Sequence, residues 1–128
     1  MFVAKEDVVA EAGFWVVWGL PSTGRERQAL DLLKETTTGY LEGLRTSERI
    51  ERFDTAILRP QSAELGGFFL IQGSREQLEA LRADHDFQTW VTQVQLVADR
   101  VGIVDAWVND GLGEAIALYD EALQKLDQ

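Results

Sequence analysis

The chain contains no cysteine, a single histidine and only two prolines. Without cysteine it forms no disulfide, no iron–sulfur cluster and no thiolate zinc site. With one imidazole, a transition-metal centre would have to be built mostly from carboxylates, an unusual ligand set. Basic side chains are scarce as well, 12 against 22 acidic ones, for a formal net charge of -10. Binding to a phosphate backbone is driven by basic groups that displace counterions, so this chain repels nucleic acid. Its two arginine clusters, Arg25 with Arg27 and Arg45 with Arg49 and Arg52, are interleaved with Glu26, Glu42, Glu48 and Glu51. That pattern reads as a solvated, ion-paired face. Long hydrophobic runs are missing too: no stretch approaches the roughly 18 apolar residues that span a bilayer. Lys5, Glu6, Asp7 and Glu11 interrupt the apolar core that a secretory signal requires. The expected setting is the cytoplasm, with neither a membrane nor a nucleic acid as partner.

What the chain does have is two short segments that are apolar throughout, Phe14-Trp15-Val16-Val17-Trp18 and Gly67-Phe68-Phe69-Leu70-Ile71. Side chains on a strand alternate between two faces, so a run without alternation reads as a strand covered on both. A chain of 128 residues fits one domain and buries roughly two-thirds of its unfolded surface. It is too small to cover both faces of a sheet with its own helices. A second copy of the chain is therefore the expected cover. Residues 1–12 read as an N-terminal extension and 13–128 as a single domain.

Strand and helix signals alternate along the sequence. A first strand, Phe14 to Leu20, is closed by Pro21, and Ser22 or Thr23 is expected to cap a long helix reaching about Thr46. Ala29, Leu32, Leu33, Thr36, Tyr40 and Leu44 recur at helical spacing and form one stripe. Gly39 and Gly43 weaken that helix and imply close packing or a bend. In a second strand, Ile50 to Leu58, Phe53, Thr55 and Ile57 alternate with Arg52, Asp54 and Ala56, as on a half-exposed edge. A short turn leads to the third strand, Gly67 to Gln72, so the two form an antiparallel hairpin. Ser74 with Gln77 is a capping box for the next helix, and a further helix carries Phe87, Trp90, Val91 and Val94 on one face. A fourth strand, Val101 to Val108, precedes a last helix with Ile116, Tyr119, Leu123 and Leu126 in line.

The order β-α-β-β-α-β is that of an α+β, ferredoxin-like antiparallel sheet, with strand order 4-1-3-2 and an extra C-terminal helix. This order puts the two fully apolar strands in the centre. By this element order, by RIERFDTAILRP after the long first helix, and by GGFFLIQGSREQLEALRADHDF, the chain resembles the dimeric α/β-barrel superfamily. It is most similar to the small uncharacterised bacterial proteins of that group. The resemblance implies a homodimer whose two sheets face each other inside a shell of helices. Members include cofactor-free monooxygenases, haem-degrading enzymes, lactone isomerases and proteins without known activity.

Several motifs look like sites and fail on their chemistry. Gly19-Leu-Pro-Ser-Thr-Gly24-Arg25-Glu26 lies between strand and helix as a P-loop does, but arginine replaces the lysine and Glu26 replaces the magnesium-binding hydroxyl. A carboxylate there repels phosphate. Around Asn109-Asp110-Gly111 the spacing fails for calcium, because Trp107 falls where an oxygen ligand is needed. Gly111-Leu112-Gly113 lacks the further glycine of a dinucleotide fingerprint.

Two residues stand out as catalytic candidates. His85, between Asp84 and Asp86 at a helix start, is either an exposed capped terminus or a general base. Haem-degrading members of the superfamily pair a helix histidine with an asparagine and a tryptophan. The only asparagine here, Asn109, follows the fourth strand instead. Asp105 lies mid-strand on one face with Ile103 and Trp107, where a carboxylate is either paired, as to Arg52 or across a dimer, or functional. Asp54 on the second strand invites the same reading. Trp15, Trp18, Phe68, Trp90 and Trp107 are core or interface first, and the walls of a pocket for a small apolar or aromatic ligand second. The expected protein is thus a homodimer without an obligatory cofactor, non-catalytic or binding a small ligand. The alternative is a cofactor-independent monooxygenase or isomerase acting on a small aromatic or polyketide-like substrate.

Overall fold

The structure is a computed structural model that describes residues 10–127. The expected N-terminal extension lies outside the described residues, save for residues 10–12, and Ala12 already opens the first strand. The strands are β1 (Ala12–Trp18), β2 (Arg52–Ile57), β3 (Gly67–Gly73) and β4 (Gly102–Trp107). The helices are α1 (Glu26–Glu35), α2 (Leu41–Thr46), α3 (Arg75–Arg82), α4 (His85–Val97) and α5 (Leu112–Leu126). The sheet order is β2-β3-β1-β4, every pair antiparallel, with the two apolar strands at its centre.

Register separates the two faces. Phe14 and Val16 of β1 lie level with Ile71 and Phe69 of β3, and these four are buried against the helices. Leu41, Leu44, Leu78, Leu81, Phe87, Trp90 and Val94 close over them to complete the core. The opposite face carries Trp15 and Val17, Phe68 and Leu70, and Val104 and Ala106. None of the described helices covers that face, and Trp15 and Val104 remain 36% and 50% exposed. One end of it is polar. Asn109 donates to Gln72 Oε1, and Gln72 donates to Asp54, which also accepts from Arg52.

The long first helix is interrupted rather than continuous. Thr36–Tyr40 form one π turn between α1 and α2. A Cβ added at Gly39 or Gly43 would meet nothing within 4 Å, so neither glycine serves close packing. Gly39 lies inside the π turn itself. Because both positions are helical and open, Gly43→Ala is expected to stabilise the protein by about 0.5–1 kcal/mol, read as a raised urea midpoint.

The expected N-caps are a correction. Neither Ser22 nor Thr23 caps α1: Arg25 is its N-cap, without a side-chain hydrogen bond. Ser22 is instead held in an extension of β1, where its N–H donates to the Val97 carbonyl at 2.8 Å beside the Pro21–Ala98 bridge. The capping box at Ser74 and Gln77 is present as read. On α5, Leu112, Ile116, Tyr119, Leu123 and Leu126 form a stripe that points to solvent, and Ala115 is the one buried residue of the helix.

Candidate functional site

An apolar cleft of about 530 Å³ lies between α1, α4 and the β1–β3 end of the sheet. The helix α1 on one side of it has no fully buried residue. Leu32 and Leu33 of α1 form one wall, Val94 and Val97 of α4 the back, and Trp18 and Phe69 the floor. The rings of Trp18 and Phe69 pack at 4.8 Å. Behind the floor, the buried Trp90 indole donates to the Thr36 hydroxyl at 2.8 Å, at the first residue of the π turn. π turns arise where an extra residue is accommodated in a helix, and they recur at functional sites.

The outer rim is the connection from β2 to β3, which carries Leu58, Gln61, Glu64 and Leu65 into the cleft. Gln61 braces this loop from within, donating to the Arg59 and Leu65 carbonyls and accepting from the Leu65 N–H. The loop is seated on β1 through the Gly66 N–H, which donates to the Trp18 carbonyl at 2.9 Å. A Cβ at Gly66 would fall 1.9 Å from the Gly19 carbonyl oxygen and 2.7 Å from the Trp18 ring. Backbone cannot yield that far, so Gly66→Ala is expected to cost about 2–3 kcal/mol and to displace Trp18. Urea denaturation and the tryptophan emission spectrum check both effects.

A second concavity of about 300 Å³ lies at the β4 edge between α3 and α5. It holds Asp105 and Trp107 among Arg75, Arg82, Glu79 and Glu114. Both of its arginines are paired. Arg82 bonds Asp105 while its guanidinium lies 4.6 Å from the centre of the Phe14 ring, and Arg75 bonds Glu114 at 2.6 Å.

The sequence-derived candidates therefore fall in separate places. His85 is an exposed residue at the start of α4, next to Asp84, whose side chain caps that helix by accepting from the Phe87 N–H. Asp105 shares a face with Ile103 and Trp107 as expected, and that face is the helix side, but Asp105 is not buried. Its side chain is 75% exposed, because β4 is an edge strand and its flank opens to solvent. Its partner is Arg82 rather than Arg52, which pairs with Asp54 on the opposite edge. Asp54 and Asp105 also lie on opposite faces of the sheet. An ion pair so exposed contributes little, and Asp105→Asn is expected to change stability by under ~1 kcal/mol. Thermal denaturation measures this.

Of the five aromatic candidates, Trp15 and Phe68 pack together on the uncovered face, with ring centres 5.8 Å apart. Trp107 sits at the β4 edge, and its indole donates to Glu114 at 3.4 Å. Trp18 lines the cleft, and Trp90 supports it from behind. Neither His85 nor Asp105 lines the cleft. What sequence reasoning missed were Leu20, Leu58 and Leu65, apolar residues in connections, together with Glu26, Gln61 and Glu64. The available signal was the presence of leucines outside any periodic element.

One titratable group near this region is shifted. Burial, and next the Asp84 carboxylate, push the Tyr40 hydroxyl up to about 12. Its folded-state value lies above its unfolded value near 10, so its contribution to stability is complete below pH 10 and disappears as pH rises through 12. The tyrosine absorbance change in alkali is therefore expected to end only near pH 12, with stability falling over that window.

No protein-family model matches the chain, and no curated protein matches it either. Solved structures do. A dimeric protein of unknown function and ferredoxin-like fold from Bacteroides fragilis is similar with a TM-score of 0.60 at 8% identity, over 79% of this chain and 99% of that one. A dimeric ferredoxin-like protein of unknown function from Jannaschia matches with a TM-score of 0.59 at 18% identity, over 76% and 99%. A hypothetical protein from Arabidopsis thaliana matches with a TM-score of 0.59 at 14% identity, over 84% and 96%. At such identities the likeness is one of fold, and the chain has the α+β, ferredoxin-like fold of these proteins.

Proposed function

We propose that this protein is a cytoplasmic homodimer whose single ferredoxin-like domain, residues 13–128, binds a small apolar ligand in the cleft without catalysing a reaction. The ligand reading is carried by the cleft itself. A space of about 530 Å³ is lined by leucines, valines, a tryptophan and a phenylalanine, and no side chain of the described chain fills it. Pockets that hold small molecules share this size and this apolar lining. Binding is favoured over proton abstraction because both candidate bases, His85 and Asp105, lie outside it. The assembly is supported by the uncovered face, where Trp15, Phe68, Leu70 and Val104 form an apolar surface bordered by polar groups. Its likeness to dimeric proteins of the same fold points the same way. A cysteine-free, acidic chain gains nothing from an oxidising compartment, which favours the cytoplasm.

The test is titration with the neutral fluorophore N-phenyl-1-naphthylamine, exciting tryptophan and reading energy transfer to the probe, to which Trp18 in the cleft wall and Trp90 behind it contribute. Saturable binding is expected, and Leu33→Trp, which fills the cleft from α1, should weaken it about tenfold or more, a loss of about 1.4 kcal/mol. An unsaturable signal in the wild-type protein would sink the reading. So would equal affinity in a correctly folded Leu33→Trp variant.

A further inference from the structure

Resting on the cleft as a ligand site, the chemistry of its rim selects among apolar ligands by charge. Among the described residues, the only ionisable side chains lining the cleft are the carboxylates Glu26 and Glu64. Glu26 stands in the first turn of α1, with one oxygen accepting from the Gly24 N–H at 3.0 Å. Glu64 is set in the rim loop at a left-handed φ of 58°, and its nearest cation, Arg100, is 3.8 Å away. Arg100 does not line the cleft and also donates to the Ala63 carbonyl.

The amide and buried indole donors nearby are already committed. Both Gln61 amide bonds go to carbonyls of its own loop, and the Trp90 indole is bound to Thr36. An anionic head group arriving at this rim finds like charge and no cation lining the cleft, with only the neutral Trp18 indole N–H and the Thr36 hydroxyl as side-chain donors to meet it. A cationic one finds two carboxylates with spare lone pairs, inside an overall field that is also negative. We infer that the cleft takes an apolar molecule carrying an ammonium group, with the hydrocarbon part between α1 and the sheet and the ammonium at Glu26 and Glu64. Apolar carboxylates such as fatty acids are excluded.

The experiment is displacement of bound N-phenyl-1-naphthylamine at neutral pH by octylamine, octanol and octanoate, which share one chain and differ in the head group. Octylamine is expected to displace the probe at a concentration about tenfold or more below octanoate, and the gap should shrink as salt is added. The double variant Glu26→Gln with Glu64→Gln should close most of the gap. Glu76→Gln with Glu121→Gln removes the same charge at positions that do not line the cleft, and should leave the gap intact. Octanoate displacing as well as octylamine overturns the inference, as does an equal effect of the remote pair. These outcomes are separate from failure of the ligand site itself. If the neutral probe does not bind the wild-type protein, the site is wrong and the head-group preference falls with it.

Discussion

Replacing Trp15 by glutamate is expected to turn the proposed homodimer into a folded monomer. Trp15 sits at the middle of the uncovered face, level with Leu70 on one side and Val104 on the other. A carboxylate at that point would have to be desolvated by the partner without a cation to meet it, because the arginine of this face, Arg52, is tied to Asp54 at the β2 edge. In a twofold interface the change is made twice. An uncompensated buried charge costs several kcal/mol, so a loss of about 4 kcal/mol is the lower end, which is roughly a thousandfold in the dissociation constant. The monomer should remain folded, since Trp15 points away from the helix-side core formed around Phe14 and Val16. Light scattering after size exclusion, with circular dichroism on the same sample, measures both. A wild-type monomer at micromolar concentration, or an unchanged dimer in the variant, would reject the interface.

The second large effect is expected at Trp90. It is 3% exposed and its ring packs against Tyr40, Phe69 and Phe87 at 5.5–5.7 Å. Trp90→Ala removes the hub of this cluster and should cost about 3–5 kcal/mol. Trp90→Phe separates packing from hydrogen bonding. It keeps an aromatic ring but takes away the donor to Thr36, leaving a buried hydroxyl without that partner at a cost of about 1–2 kcal/mol. Because Thr36 begins the π turn and lines the cleft, Trp90→Phe should also weaken probe binding while leaving the dimer intact. Urea denaturation and the same titration decide this. A neutral Trp90→Phe would mean that the hydrogen bond does not hold the turn.

The fold was legible because its strongest signals are local. A strand apolar on both faces has to be central, and the capping box at Ser74 marks a helix start by spacing alone. The alternation in β2 likewise put Phe53, Thr55 and Ile57 on one face and Arg52 and Asp54 on the other. The candidate site was not legible, since a cleft is a property of distance between elements and periodicity reports only direction. The stripe of α1 was read correctly, yet nothing in Leu32 or Leu33 says that they also line a cleft. Asp105 shows the same limit: its face followed from alternation, but its exposure depended on how far α3 and α5 overlap an edge strand.

The absence of any fully buried side chain in α1 also bears on how the cleft would grip what enters it. The jaw formed by the β2–β3 connection is locked, with Gln61 cross-braced to its own loop and Gly66 pressed on Trp18. The facing jaw has no fully buried residue to lose, so its local opening free energy is expected to be low. Such a clamp has one fixed anvil and one sprung arm. It would measure the length and polarity of a guest more strictly than its girth, and an occupant would register as slowed amide exchange in α1 rather than in the rim.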